Sequence, residues 1–244
     1  MKISEYISSE KEKMKKRTPK ERMSYFWDYY KWYVIIGLIA FLLVVHTAVT
    51  FINAKEPVLY GILIDGIQPV EQPEILQTFY DANGIDTDKQ EIVLQTGLSL
   101  NSSLPSVTQT FYQRIHAGIG SKETDFLMGY GYAISQCAYD SSHMLADLRD
   151  VFSPETLARL EGCLYYIDGS VWNAIKQSPT KEFEIPDPHK PQNMADPIPV
   201  AIDISICNEF VSAFYSLAEP VYVAVTINAP HPELTVRFIE CLLS

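Results

Sequence analysis

The chain is 244 residues long, 47% hydrophobic and carries a formal charge of -11, so it is long enough to bury a sizeable core. The charge is unevenly spread: residues 1–31 hold nine Lys/Arg against five Asp/Glu, whereas residues 53–244 hold ten against 25. So acidic a main domain excludes nucleic acid as its partner, because binding phosphates requires clustered Lys/Arg.

Thr18-Pro19-Lys20-Glu21 is a capping-box pattern with proline at the first helical position, and the helix it starts runs directly into an apolar segment. Residues 33–52 form a run of 20 without Asp, Glu, Lys or Arg, the length a helix needs to cross the hydrocarbon core. A basic block before the run and an acidic domain after it follow the positive-inside pattern. The expected organisation is a cytoplasmic tail over 1–32, a transmembrane helix over 33–52 and an extracytoplasmic domain over 53–244, all held at the cell membrane. A cleaved signal peptide fits less well, since the basic region and the apolar run are both too long and no small-x-small site follows. Trp27, Tyr29, Tyr30, Trp32 and Tyr33 make an aromatic girdle suited to the headgroup layer of the lipid bilayer. His46 is the one ionisable side chain in the run and reads as lying toward its outer interface.

Within the outer domain, residues 58–64 are a β-rich apolar run ending at Asp65-Gly66, which predicts a buried strand. Residues 70–82 place Ile75, Leu76, Phe79 and Tyr80 on one helical face, closed by Asn83-Gly84. A second strand is expected over 91–98. An amphipathic helix follows over 105–119, with Val107, Phe111, Ile115 and Ile119 at four-residue spacing. Residues 125–130 predict a third strand. Strand–helix–strand–helix–strand at this spacing implies crossover connections and a mostly parallel sheet, an α/β fold. Short helices are expected around 132–139 and 144–151, and Ser153-Pro154 starts another. Asp168-Gly169 between apolar arms in 165–172 predicts a hairpin. Residues 179–199 contain six prolines and read as an extended connection. Two more strands (198–204 and 221–227) flank a helix near 208–216, and 232–243 is a terminal amphipathic helix.

Four segments carry a resemblance to a known family: the first strand through Phe79-Tyr-Asp-Ala-Asn-Gly84; Thr124-Asp125-Phe126-Leu127; Met144-Leu-Ala-Asp-Leu-Arg-Asp-Val-Phe-Ser-Pro-Glu155; and Asn228-Ala-Pro-His-Pro-Glu-Leu-Thr-Val-Arg-Phe-Ile-Glu-Cys-Leu-Leu243. In that order they resemble the first lobe of bacterial extracellular solute-binding proteins, the type 2 periplasmic-binding fold that serves ABC importers. Family members carry a second lobe, where this chain has only the Pro-rich 179–199 segment. They are also usually anchored by a lipidated cysteine rather than a helix. The tail, with its Thr-Pro-x-Glu start and aromatic cluster, resembles the start of many membrane proteins of clostridia-type bacteria. The resemblance implies an extracytoplasmic binding lobe with any ligand at the carboxyl ends of the strands. Asp65, Gly66, Gln68, Ser99, Tyr130, Tyr132 and Trp172 are the residues this puts at such a surface. One lobe cannot close on a small solute and exclude water. A protein partner is therefore favoured over a small molecule.

Other motifs carry no chemistry. Gly129-Tyr130-Gly131 lacks the third glycine and the downstream acid of a dinucleotide site. Asp81 to Asp88 lacks the glycine position and terminal glutamate of an EF-hand. His116, His143, His189 and His231 share no metal-ligand spacing. Cys137, Cys163, Cys207 and Cys241 show no zinc or redox spacing and read as free, buried thiols rather than pairs. Asn101-Ser102-Ser103 is a formal glycosylation sequon, meaningful only in a eukaryotic secretory setting. No catalytic residues, cofactor or metal are expected. The leading expectation is a non-catalytic, membrane-tethered binding or interaction module, a transporter accessory or envelope sensor. The alternative is a receptor for a sugar, peptide or amino acid, completed by dimerisation or by a membrane partner.

Overall fold

The computed structural model describes residues 18–52, 54–100, 105–179 and 181–244. The chain divides into two compact units, one ending at Ala54 and one spanning Lys55–Ser244. The basic residues before position 18 and the Asn101 sequon lie outside the described residues.

Among its described residues the first unit holds a single helix, α1 (Pro19–Ile52), beginning at the proline that the capping pattern placed there. Its Tyr30–Phe51 stretch, 22 residues with mean hydropathy 2.5 and no buried surface, is long and apolar enough to cross a membrane. Trp27, Tyr30, Trp32 and Tyr33 are exposed on this helix, with the Tyr30 and Tyr33 rings 6.3 Å apart. The side chain of Tyr29 lies outside the described residues.

The second unit is a three-layer α/β sandwich. Its elements are β1 (Glu56–Ile64), α2 (Glu74–Asn83), β2 (Gln90–Leu98), α3 (Pro105–Gly120), β3 (Phe126–Tyr130) and α4 (Gly131–Ala138). These are followed by α5 (Pro154–Arg159), β4 (Leu164–Asp168), α6 (Gly169–Gln177), β5 (Pro197–Asp203), α7 (Asn208–Phe214), β6 (Val221–Val225) and α8 (Pro232–Leu242). The strands form one six-stranded sheet in the order β2-β1-β3-β6-β5-β4.

The sheet is mixed. β1 pairs parallel with β2 and β3, as the strand–helix alternation predicts, but β3–β6, β6–β5 and β5–β4 are antiparallel. The expectation of a mostly parallel sheet is therefore corrected for the second half of the chain. For β5 and β6 the reason is length. With seven residues α7 spans about 10 Å, less than the roughly 17 Å of a five-residue strand, so it cannot return the chain to the start of a parallel strand.

Two other expectations are corrected. Residues 144–151 contain only a single 3-10 turn, Leu148–Asp150, capped by Asp147. The hairpin at Asp168-Gly169 is a strand-to-helix junction instead: Asp168 ends β4 and its carboxylate accepts the Ser170 N–H at 2.9 Å to cap α6. An Asp before a helix and an Asp in a tight turn use the same side-chain chemistry, so the dipeptide alone does not separate them.

Alternation along β1 splits the core. Leu59 and Leu63 point to one face, where Leu76 and Phe79 of α2, Phe210 and Phe214 of α7 and Phe238 of α8 cover them. Ile62 and Ile64 point to the other, under Phe111 and Ile115 of α3 and Ile134 of α4. Val107 of the amphipathic stripe lies among side chains outside the described residues. On β1, Gly61 leaves the space its neighbour on β3 needs, since the Phe126 ring occupies the position a Cβ would take.

Asp168 also organises the Pro-rich segment. Its carboxylate accepts the N–H groups of Ala195 at 2.8 Å and Asp196 at 3.2 Å, while its own N–H is met by the Tyr139 hydroxyl. Burial pushes the Asp168 carboxyl up, but the backbone donors outweigh it and hold the pKa below the ordinary value. A depressed folded pKa means the stabilisation is present above the unfolded carboxylate pKa, near 4, and is lost as pH falls through the folded value. Asp168→Ala is expected to cost about 2 kcal/mol and to raise amide exchange at Ala195 and Asp196. Hydrogen-exchange mass spectrometry at neutral pH checks this, and in the native protein the same amides are expected to lose protection below about pH 4.

Candidate functional site at the carboxyl edge of the parallel strands

The connections leaving β1 and β3 diverge. The chain after β1 goes to α2 on one face of the sheet, and the chain after β3 goes to α4 on the other. Since β1 and β3 are neighbours, a crevice opens between their carboxyl ends, the place where open α/β sheets bind ligands.

Asp65 sits at the end of β1 with φ +57°, a left-handed conformation that costs a non-glycine residue on the order of 1 kcal/mol. Its N–H donates to Leu98 O at 2.8 Å, pinning it to β2. Its carboxylate accepts from the Ser99 hydroxyl at the end of β2, from the Tyr132 hydroxyl at the start of α4, and from Leu100 N–H at 3.4 Å. The three parallel strands are thus joined at their ends through one carboxylate. Burial, with the Asp65 carboxylate second, pushes the Tyr132 phenol far above its ordinary value, so it stays protonated as a donor.

Tyr130 stacks on Tyr132 with ring centroids 6.2 Å apart and meets Tyr215 edge-on at 5.3 Å. Its hydroxyl accepts the Ser216 N–H at 3.0 Å. Beneath it, Tyr215 is buried, donates to Met128 O at 3.0 Å, and has its pKa pushed well up, chiefly by burial. Tyr215 and Ser216 were not singled out by the sequence. They follow α7, and only the antiparallel placement of β6 beside β3 brings them here.

Of the sequence-picked residues, Asp65, Ser99, Tyr130 and Tyr132 therefore converge. Gly66 lies over Leu63 and Tyr215. Gln68 stands beside them, accepting from the Thr96 hydroxyl at 2.8 Å. Trp172 does not belong to the group. It follows β4, which runs opposite to β1 and β3, so α6 starts from the other edge of the sheet. There the Trp172 indole donates to Asp140 O at 3.0 Å, packs on His143 at 4.7 Å and carries the Lys176 ammonium 5.1 Å from its ring.

At that opposite edge, a depression of about 400 Å³ is lined by Pro57, Tyr60, Lys122, Glu123, Asp125, Pro230 and His231. Its buried Asp125 accepts backbone N–H groups from Tyr60 at 2.9 Å and His231 at 2.8 Å. This carboxylate is occupied in fastening β1, β3 and the start of α8 together. A second hollow of about 430 Å³ lies between α2 and β2, lined by Gln77, Tyr80, Glu91 and Ile92 among others. Within it, Tyr80 completes the edge strand by accepting the Ile92 N–H at 2.9 Å.

Among the described residues no group of three or more His, Cys, Asp or Glu side chains is placed to hold a metal ion. All four cysteines are free thiols, and Cys137 is buried, which pushes its thiol up to about 12 and leaves it unreactive at neutral pH. Comparison of the chain with protein-family models, with curated proteins and with solved structures finds no match, so the crevice is read from its own geometry.

Proposed function

We propose that this protein is a non-catalytic, membrane-tethered binding module that presents the carboxyl edge of its sheet on the extracytoplasmic side. The observation that carries the reading is the meeting of Asp65, Ser99, Tyr130 and Tyr132 at the point where the connections of β1 and β3 diverge. The apolar Tyr30–Phe51 stretch supports the tether. The basic tail and acidic domain support a cytoplasmic N-terminus. Tyr132 supports a binding role over a catalytic one, because a phenol held protonated offers hydrogen bonds but no base at neutral pH.

Exposed Ile67, Val70 and Leu217 gather around the site, which suits a macromolecular partner better than a small solute. The likeness to a solute-binding lobe supports the same edge, because it implies a ligand at the carboxyl ends of the strands. A photo-reactive amino acid at exposed Val70, beside the crevice, is expected to capture one partner protein in native membranes. The same group at exposed Gln77 on α2 is expected to capture none. Absence of any adduct from Val70, or an identical adduct from Gln77, would refute the reading.

A further inference from the structure

Among the described residues of the domain, seven large apolar side chains are exposed, and five of them lie at this one edge: Ile67, Val70, Ile206 and Leu217 on its loops and Tyr132 at the start of α4. Hydrogen bonds tie those loops together. Ile67 N–H donates to Phe214 O at 2.9 Å, and Glu74 N–H donates to Glu209 Oε1 at 2.7 Å. Val221 N–H donates to the Ser205 hydroxyl at 3.0 Å. The apolar side chains therefore stand on a braced platform rather than on independent tips. Val70 is fully exposed at 101% of its reference area and Ile206 at 73%, an arrangement that marks a contact surface when such residues gather on one side.

Charge selects the occupant. The described segments that form this edge (65–73, 99–100, 131–132, 203–207 and 214–220) contain four acids, Asp65, Glu71, Asp203 and Glu219, and no Lys, Arg or His. Glu71 and Glu219 are exposed, and the Glu219 charge reaches Tyr132. At the far end of the edge, Arg159 lies 3.9 Å from Glu240. A second copy of the chain would bring acid against acid, and an anionic lipid surface would be repelled. Both are opposed by the same rim.

The geometry points to a partner polypeptide segment that alternates Lys or Arg with apolar side chains, its cations on the acidic rim and its apolar groups on Val70, Ile67 and Leu217. This rests on the binding-module reading and adds the chemistry of the partner. The stacked Tyr130 and Tyr132 rings beside Asp65 offer a flat face on which a guanidinium or ammonium group can lie.

The test uses the full chain in nanodiscs of zwitterionic phosphatidylcholine and fluorescent synthetic peptides. A peptide alternating lysine and leucine is expected to bind at least about tenfold tighter than versions with glutamate for lysine or serine for leucine, a difference near 1.4 kcal/mol. Glu71→Lys with Glu219→Lys is expected to weaken it about tenfold, and Asp88→Lys with Glu91→Lys, on exposed positions before and within β2, by less than about twofold. Equal loss from both pairs, or equal binding of the lysine–serine peptide, would reduce the effect to diffuse charge and overturn the proposal. Repeating the Val70 cross-link in the Glu71→Lys, Glu219→Lys background separates the two readings. Loss of the adduct supports the cationic partner. An adduct that survives overturns it and leaves the binding module standing, whereas no adduct in the unaltered chain removes both.

Discussion

Replacing Phe238 by alanine is expected to remove about 4 kcal/mol from the stability of the Lys55–Ser244 unit, a large share of the roughly 5–15 kcal/mol that holds a domain together. The residue is fully buried on α8 and meets three other aromatic rings. Phe79 of α2 lies edge-on at 5.2 Å, Phe126 of β3 is stacked at 5.4 Å, and Phe210 of α7 is edge-on at 6.0 Å. Truncation therefore loosens a contact shared by the sheet and by all three of these helices. The neighbours cannot collapse into the gap, because Phe126 is itself held over Gly61. At about 3 °C per kcal/mol for a domain of this size, the midpoint of thermal unfolding should fall by about 12 °C. Leu217→Ala, on the exposed edge, is expected to move it by less than about 2 °C. Near-ultraviolet circular dichroism of the full chain in detergent measures both, and comparable shifts for the two variants would contradict the packing described.

Asp125→Ala is expected to cost about 3–4 kcal/mol, read as a lowered urea midpoint with an unchanged slope. The carboxylate is fully buried and accepts two main-chain N–H groups, from Tyr60 and His231. Removing it strands both donors away from water and detaches the first turn of α8 from the sheet. The His231 imidazole contributes much less. Its Nδ1 lies 3.3 Å from one carboxylate oxygen and 3.4 Å from the other, but the side chain is about half exposed. A half-exposed side-chain contact of this kind is worth about 0.2–1 kcal/mol. His231→Ala should accordingly cost under about 1 kcal/mol, since the backbone N–H that Asp125 accepts remains. A His231→Ala effect equal to that of Asp125→Ala would show the side-chain pair, rather than the backbone fastening, to be the stabilising contact.

Much of the first half of the domain was legible in the sequence because its signals are local. Asn83-Gly84 announces the end of α2, and Gly84 does adopt the left-handed conformation, at φ +63°. The spacing of Phe111, Ile115 and Ile119 announces the buried face of α3, and all three are buried. Strand–helix alternation then leads to β2, β1 and β3 in parallel, which places Asp65, Ser99, Tyr130 and Tyr132 at one edge before any contact is known. In the second half the decisive information is not local. Whether β5 and β6 run parallel or antiparallel depends on whether α7 is long enough to bring the chain back, and strand-helix-strand order alone does not express that. The misplacement of Trp172 follows directly, since its position was inferred from a strand direction that β4 does not have. Tyr215 was missed for the complementary reason. Nothing in residues 214–216 signals a site until β6 is placed beside β3.

The direction of β1 has a mechanical consequence. The chain enters the domain at the amino end of this strand, while the proposed contact surface lies at its carboxyl end. Tension between the N-terminal helix and a partner held at that surface would run lengthwise along β1. Seven residue pairs with β2 and three with β3 would then be sheared together instead of peeled one at a time. A domain pulled this way yields only when many hydrogen bonds break at once, so the arrangement resists force along the line on which a tethered contact would apply it.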